Sequence, residues 1–181
     1  GLIPLVDTEQ GGDLLERVVM IRRQCALELG IVIPAIRIRD NMQLSPQKYI
    51  LKLRGVPIDR GELMLNHYLA MGGEGEISGI DTHEPAFGLP AKWIEASQRE
   101  EAEINGFTVV DPPSVLATHL TEFLKNNAAE ILSRQDIQLL LDNLKKEYPA
   151  VVEEVVPNLL SLAEIHKVLS KAFHILHQPF L

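Results

Sequence analysis

The sequence has a single cysteine and a single tryptophan among its 181 residues. The lone Cys25 cannot form an intramolecular disulfide or supply a cysteine cluster for a metal, so we expect a reducing compartment. The sequence also lacks any run near the roughly 18 apolar residues that a membrane-spanning helix needs. Its start shows no signal-peptide pattern. We therefore expect this segment to be soluble.

Basic residues are too few and too scattered for a general nucleic-acid binder. The chain has 17 Lys and Arg against 25 Asp and Glu, which gives a formal net charge of -8. Binding to phosphate groups requires clustered cations that displace counterions. We expect no nucleic acid among the partners.

Catalytic and cofactor-binding motifs are missing as well. The sequence contains no nucleophile elbow, paired-histidine zinc motif, phosphate-binding loop or dinucleotide fingerprint. The glycine-rich stretch from Gly72 to Gly79 carries two glutamates that would repel phosphate, so we interpret it as a surface loop or hairpin tip. Only His174 and His177 have helical spacing for a metal pair, and no carboxylate is near them. We expect no enzyme, no cofactor and no metal.

Several helices and strands are predicted in the first 62 residues. Apolar residues at three- and four-residue steps from Leu14 to Leu29, followed by Gly30, predict a helix with a C-terminal glycine cap. Leu2–Asp7 and Ile31–Ile38 are rich in β-formers and predict strands. Alternation in Tyr49–Arg54, with Val56–Ile58 after Gly55, predicts a strand pair.

The middle of the chain alternates between strand and helix signals. Trp93-Ile94 predicts a strand, and Ser97 with Glu100 has the capping-box spacing of a helix start. That helix is expected to end at Asn105-Gly106, before a strand over Phe107–Val110. Asp111 is expected to cap the next helix, whose predicted inward residues are Val115, Leu116, Leu120, Phe123 and Leu124.

From Ser133 onward the pattern is helical. Ser133 with Asp136, and Ser161 with Glu164, have helix-start spacing. One apolar stripe comprises Ile137, Leu140, Leu141 and Leu144, and the last helix presents Ile165, Val168, Leu169 and Phe173. Together the signals predict an α+β protein in which a mixed region precedes an all-helical one.

The stretch from Glu84 to Leu120 is the best candidate for a binding surface. Phe87 lies in an apolar loop between Pro85 and Pro90, and Thr118 lies on the helix that follows. Proline stiffens such a loop and lowers the entropy lost when a partner binds. We therefore expect this stretch to be a docking place for another chain, and we expect His119 to be a satisfied, partly buried histidine.

Motifs along nearly the whole chain resemble one family in order and spacing. They resemble the cytoplasmic region of the flagella/hypersensitivity/invasion export-pore family, the large membrane components of type III export gates. The run Pro85–Leu89 favours the flagellar branch over the virulence branch. The matching segments are Leu2–Asp7, Gln10–Arg17, Ile21–Gln24, Ile38–Asn41, Glu84–Leu89, Thr108–Asp111, Ala117–Leu120 and Val156–Leu162.

This resemblance implies a division into subdomains. A first α/β subdomain would comprise residues 1–62 and 112–131, with a second α/β subdomain inserted at residues 63–111. A third, helical subdomain would cover residues 132–181 and be incomplete, since Ser170–Leu181 departs from the family pattern. The membrane half, linker and fourth subdomain of family members would be absent.

The resemblance also implies a site and partners. Family members bind chaperones with their export substrates, and the matching positions are Glu84, Pro85, Phe87, Gly88 and Thr118. The acid is commonly Asp in relatives. Further implied partners are the export ATPase complex, other export-gate proteins and copies of the same chain in a nine-membered ring, at the cytoplasmic face of the bacterial inner membrane.

Two alternatives remain open from sequence alone. The side chain of Phe87 could fill the core beneath its own loop instead of facing a partner. The segment could also be a structural, ring-forming part of a virulence-type export gate without its own ligand site.

Overall fold

Helices and short antiparallel strands alternate along residues 2–176, the part of the chain that this computed structural model describes. The predicted α+β class is confirmed. In chain order the elements are α1 (Leu14–Leu29), β1 (Lys48–Leu53), β2 (Val56–Glu62), β3 (His67–Gly72), β4 (Ile80–His83), β5 (Pro90–Glu95), α2 (Arg99–Ile104), β6 (Phe107–Val110), α3 (Pro112–Asn126), α4 (Ala128–Ile131), α5 (Arg134–Glu147), α6 (Pro149–Val155) and α7 (Leu162–Leu176).

The chain divides into two compact units. One contains Ile36–Phe123 together with the chain up to Ile21, and the other contains Arg22–Ala35 together with the chain from Leu124 onward. No helix among the described residues is long and apolar enough to cross a membrane.

The first unit contains two antiparallel sheets. β1 and β2 form a hairpin, and the other four strands form a sheet in the order β4-β5-β3-β6. On one face of the larger sheet, Ala70 and Ile94 pack with Ala102 of α2. On the opposite face Leu69 pairs with Trp93, and these side chains are 0% and 3% exposed. Both faces of this sheet are therefore covered.

Helix α1 confirms the strongest sequence prediction. Its periodic residues are buried, from Leu14 to Leu29, and Gly30 ends the helix with a φ of 69°. That left-handed conformation favours glycine because a side chain would be strained there.

The strand predicted over Leu2–Asp7 is wrong. The chain instead forms two 3-10 turns, Ile3–Leu5 and Thr8–Gln10. Pro4 sits in the first turn, where its missing N–H costs nothing, and Asp7 accepts a hydrogen bond from the Glu9 amide at 3.0 Å. Local hydrogen bonds thus replace the strand pairing that β-propensity suggested.

The strand predicted over Ile31–Ile38 is also wrong, although buried and exposed side chains alternate in part of this segment. Ile31 and Ile33 are buried while Val32 is exposed, yet this segment joins no strand in the described chain. The guanidinium of Arg22 donates to the Ile33 carbonyl at 2.8 Å, and Pro34 has no N–H to offer a neighbouring strand. A side chain therefore satisfies a carbonyl that a ladder would otherwise use.

The helix start predicted at Ser97 is displaced. Ser97 lies within a 3-10 turn, Ala96–Gln98, and α2 begins at Arg99. The Glu95 amide donates to the side chain of Gln98 at 3.1 Å. The predicted end is confirmed, since Gly106 follows with a φ of 76°.

The segment after β6 follows the sequence expectation closely. The Ser114 amide donates to Asp111 at 3.1 Å, which caps α3. The five predicted inward residues of α3 are all buried. Of the Gly72–Gly79 stretch, Gly72 ends β3 and the rest is a loop that leads to β4; because β3 and β4 do not pair, this is a surface loop and not a hairpin tip.

Helices of the second unit have the predicted starts but a less buried apolar face. Asp136 and Glu164 each accept a hydrogen bond from the serine amide three residues earlier, at 2.8 Å in both cases. Of the predicted stripe on α5, Ile137 is 0% exposed, whereas Leu140 and Leu144 are 37% and 44% exposed. On α7, His166 bonds through Nε2 to the Leu132 carbonyl at 3.0 Å. Val168, one of the apolar residues that the sequence places on α7, is exposed.

We expect Ser133→Ala to lower the free energy of unfolding by about 1 kcal/mol, because it removes the side chain that caps α5. Urea denaturation followed by circular dichroism measures the change. Ser97→Ala is the matched control, and its effect should stay within about 0.5 kcal/mol because Ser97 does not begin α2. Equal losses in both variants would contradict the assignment of these two helix starts.

Candidate functional site

The loop that joins β4 to β5 closes on itself through its backbone. The Glu84 amide donates to the Leu89 carbonyl at 2.8 Å, and the Gly88 amide donates to the Glu84 carbonyl at 2.9 Å. Gly88 has a φ of 70°, which its lack of a side chain permits. We call residues 84–89 the docking loop, after the role that the sequence analysis expects of them.

Glu84 supports this loop from beneath. Its side chain is 4% exposed, and its two carboxylate oxygens accept hydrogen bonds from the amides of Ala86, at 2.9 Å, and Phe87, at 2.7 Å. Hydrogen bonds to a charged acceptor are stronger than neutral ones. The acid therefore fixes the shape of the loop, and the structure does not place it on the outer surface.

Phe87 stands at the outer surface of the docking loop. It is 62% exposed, and the neighbouring Leu89 is 51% exposed. The alternative in which Phe87 fills the core beneath its own loop is therefore wrong. An aromatic ring held outward by a braced backbone has the properties of an interface anchor.

Thr118 is the one predicted site residue that lies outside the docking loop. It is exposed on α3, and its hydroxyl donates to the Ser114 carbonyl of the preceding turn at 3.0 Å. Ser114 also accepts a hydrogen bond from Arg17 of α1 at 3.1 Å. The structure thus gathers Glu84, Pro85, Phe87 and Gly88 in one short loop and places Thr118 on a separate element.

Next to Thr118, His119 confirms the expectation of a satisfied histidine. It is 1% exposed, with Nδ1 2.7 Å from the Tyr49 hydroxyl and Nε2 3.0 Å from a carboxylate oxygen of Asp59. A carboxylate only accepts, so Nε2 carries the proton in the neutral ring. Nδ1 then accepts from the Tyr49 hydroxyl. Sequence reasoning missed Tyr49 and Asp59 because nothing local relates them to His119.

The outer end of the Tyr49 ring lies against Gly61 on the facing strand of its hairpin. It is paired with Gly61 across β1 and β2, and a Cβ added at Gly61 would overlap the Tyr49 ring, including a 2.7 Å approach to one ring carbon. The ring meets the His119 imidazole edge to face, with 5.7 Å between centroids. Gly61 therefore provides the space in which the tyrosine is seated.

The electrostatic surroundings of Tyr49 include the docking loop. Burial raises the pKa of the Tyr49 hydroxyl above its ordinary value, and the nearby carboxylates of Asp59 and Glu84 raise it further. The negative charge on these carboxylates therefore disfavours ionisation of the Tyr49 hydroxyl.

Among the described residues, no three histidine, cysteine, aspartate or glutamate side chains are placed to hold a metal ion. The His174 and His177 pair lies outside the residues whose side chains the structure describes.

The fold is shared with proteins of the type III secretion system. Chlamydia pneumoniae CdsV matches with a TM-score of 0.73 and 24% identity over 86% of this chain and 47% of that one. The same protein in a complex with CdsO also matches at 0.73, with 24% identity over 86% of this chain and 49% of that one. The nonameric EscV cytosolic domain matches with a TM-score of 0.63 and 19% identity, over 88% of this chain and 48% of that one. The chain therefore has the fold of the cytosolic domains of this class of secretion protein.

Sequence comparison identifies the family to which the chain belongs. The sequence model of the FHIPEP family matches residues 1–174, so the chain belongs to the FHIPEP family. The flagellar biosynthesis protein FlhA of Bacillus subtilis is 58% identical over 94% of this chain, and that of Borreliella burgdorferi is 52% identical over 93%. The chain spans about a quarter of these relatives, 26% and 24% of their lengths. The resemblance stated from sequence is confirmed.

We expect Glu84→Ala to release the docking loop, because the amides of Ala86 and Phe87 lose their acceptor. Loss of a charged hydrogen bond should accelerate their exchange with deuterium about tenfold or more, measured by NMR. Asp81→Ala is the matched control, since Asp81 is exposed and pairs with Lys92 on the surface. Unchanged exchange at both amides in the Glu84 variant would contradict the bracing role.

We expect the stability of the chain to fall as the pH rises above about 10, where tyrosine ionises in an unfolded chain. The folded state keeps the Tyr49 proton to higher pH, so it binds more protons than the unfolded state and linkage lowers its stability. Urea denaturation across this pH range measures the effect. Tyr49→Phe should show a shallower decline, and identical slopes would contradict the raised pKa of Tyr49.

Proposed function

We propose that this segment is a docking platform of the flagellar type III protein export gate, which receives chaperones carrying their export substrates. The single observation that carries the proposal is Phe87, 62% exposed on a loop whose backbone is braced by a buried carboxylate. Membership of the FHIPEP family and relatives named for flagellar biosynthesis support the flagellar setting.

Within this proposal the five predicted site residues have different tasks. Phe87 and Thr118 are exposed and make contact with the partner. Glu84 and Gly88 set the conformation of the docking loop. Pro85 limits the conformations of the unbound loop, so less entropy is lost on binding. The resemblance implies Asp at this position in relatives, and the longer Glu84 would then change the reach of the brace beneath the loop.

The proposal extends to assembly and location. The matched EscV domain is nonameric and the matched CdsV binds CdsO, which supports self-association and protein partners for domains of this fold. We propose that this chain likewise contributes to a ring at the cytoplasmic face of the bacterial inner membrane, with the export ATPase complex and other gate proteins as further partners. The three-part division at residues 62, 111 and 131 belongs to the same proposal. All four strands of the larger sheet fall within residues 63–111, which supports it.

A docking role predicts that Phe87→Ala weakens binding of a flagellar chaperone–substrate complex by about tenfold or more, because an anchor residue contributes about 2 kcal/mol. Isothermal titration calorimetry with a complex from Bacillus subtilis, the source of the 58% identical relative, measures the affinity. The fold should persist, since the side chain is mostly in solvent.

Met42→Ala is the matched control for that experiment, because Met42 is 91% exposed and lies outside the docking loop. It should leave the affinity unchanged. A folded Phe87→Ala protein that binds as tightly as the wild type would overturn the site, and binding lost equally in both variants would indicate a nonspecific apolar effect.

A further inference from the structure

Strand β4 lies at one edge of the larger sheet, and it is the more exposed of the two edge strands. It pairs with β5 on one side, and no strand in the described part of the chain pairs with its other side. Ile80, Asp81 and His83 are exposed, whereas three of the four residues of β6, at the opposite edge, are half-buried. The backbone of β4 therefore presents hydrogen-bonding groups at an open edge.

The hydrogen bonds at the end of β4 show which of its backbone groups point outward. The Glu84 amide donates to the Leu89 carbonyl at 2.8 Å, so this pair is bonded across to the β5 side. Bonded and non-bonded pairs alternate along an antiparallel ladder, and His83 is accordingly paired with Pro90, which has no N–H to donate. By the same alternation, Asp81 and His83 direct their amides and carbonyls away from β5.

β4 lacks features that commonly protect an open edge. Such strands often carry a lysine, a proline or a bulge that turns other chains away. β4 has the sequence Ile-Asp-Thr-His, and its register with β5 is regular. The carboxylate of Asp81 lies 3.3 Å from Nζ of Lys92 on β5, which compensates part of its charge. An incoming backbone therefore meets neither a proline nor an unpaired carboxylate on this strand.

The two faces of β4 differ in chemistry, and this difference sets the kind of segment that fits. Ile80 is 51% exposed and is paired with the buried Trp93, so an apolar side chain placed next to it would extend the apolar face of the sheet. Asp81 and His83 lie on the other face, where a polar or basic neighbour suits the carboxylate. The fitting segment is an extended backbone whose side chains alternate between apolar and polar or basic.

We propose that an extended segment of the export substrate adds to β4 as a fifth strand, directly beside the docking loop. The loop starts at Glu84, the residue after β4, so a partner that contacts Phe87 is brought to the same edge. A segment can join a sheet only while its own backbone groups are unpaired, which favours an unfolded part of the substrate over the folded chaperone. This inference rests on the proposed docking function and deepens it.

Hydrogen exchange of the wild-type amides tests strand addition without any substitution. Binding of the Bacillus subtilis chaperone–substrate complex should slow exchange of the Asp81 and His83 amides about tenfold or more, because each gains a backbone acceptor. The Thr82 amide faces β5 in the alternation and is the internal control, so its exchange should change less. Unchanged exchange at Asp81 and His83 in the bound state would overturn the proposal.

His83→Pro and His83→Ala form a matched pair for affinity measurements. Both remove the imidazole, but only the proline removes the outward amide. Edge strands tolerate proline where the N–H faces solvent, so the sheet should persist, which circular dichroism checks. In calorimetry the complex should bind His83→Pro about fivefold or more weakly than His83→Ala, the loss expected for one backbone hydrogen bond. Asp81→Pro against Asp81→Ala repeats the test at the second outward position, and equal affinities within both pairs would overturn strand addition.

The chaperone alone identifies the source of the added strand. It should bind His83→Pro and His83→Ala equally, and a loss in His83→Pro would overturn the assignment of the strand to the substrate. If Phe87→Ala weakens binding of the complex while both proline variants bind like their alanine partners, strand addition is overturned and the docking function stands. If Phe87→Ala leaves binding intact, the docking role of the loop is overturned whatever the result at His83.

Discussion

The contact of Tyr49 with Gly61 is the constraint on which the buried hydrogen bonds of His119 depend. A flat ring can lie against β2 only because position 61 has no side chain, and this seat brings the hydroxyl to His119. The hydrogen bonds of His119 are then complete, with Asp59 at its other nitrogen. A buried polar network of this kind stabilises a fold only when every member has its hydrogen-bond partners, since an unpaired buried group would lower the free energy of unfolding.

The docking loop depends on a second buried group in a similar way. Glu84 is nearly inaccessible, yet its charge is compensated by two amides of its own loop. The charge therefore acts on the conformation of the loop that carries Phe87. In the proposed docking function, this arrangement keeps an exposed apolar ring in a defined position before a partner binds, which reduces the entropy lost on binding.

Sequence reasoning succeeded where structure is decided within a few residues. The helix starts at Asp111, Ser133 and Ser161 were predicted because a capping side chain and its amide are three positions apart. It failed at Leu2–Asp7, where local turns formed, and at Ile31–Ile38. The second segment has strand composition, but the guanidinium of Arg22 takes up the Ile33 carbonyl. Composition records a preference for extended backbone, and it does not record whether a neighbouring strand exists.

The same distinction explains which parts of the site were visible in advance. The proline-bounded apolar loop around Phe87 is a local feature that the sequence shows, and the structure then decides that the ring is exposed. Tyr49 and His119 are 70 positions apart, and only the folded hairpin brings the tyrosine to α3. No periodicity in the sequence relates such distant residues. The sequence alone also does not distinguish Gly61 from a glycine in a turn, because its cross-strand partner Tyr49 is known only from the fold. The sequence therefore indicates the local loop of the candidate site, whereas the buried residues that bond to His119 are revealed only by the fold.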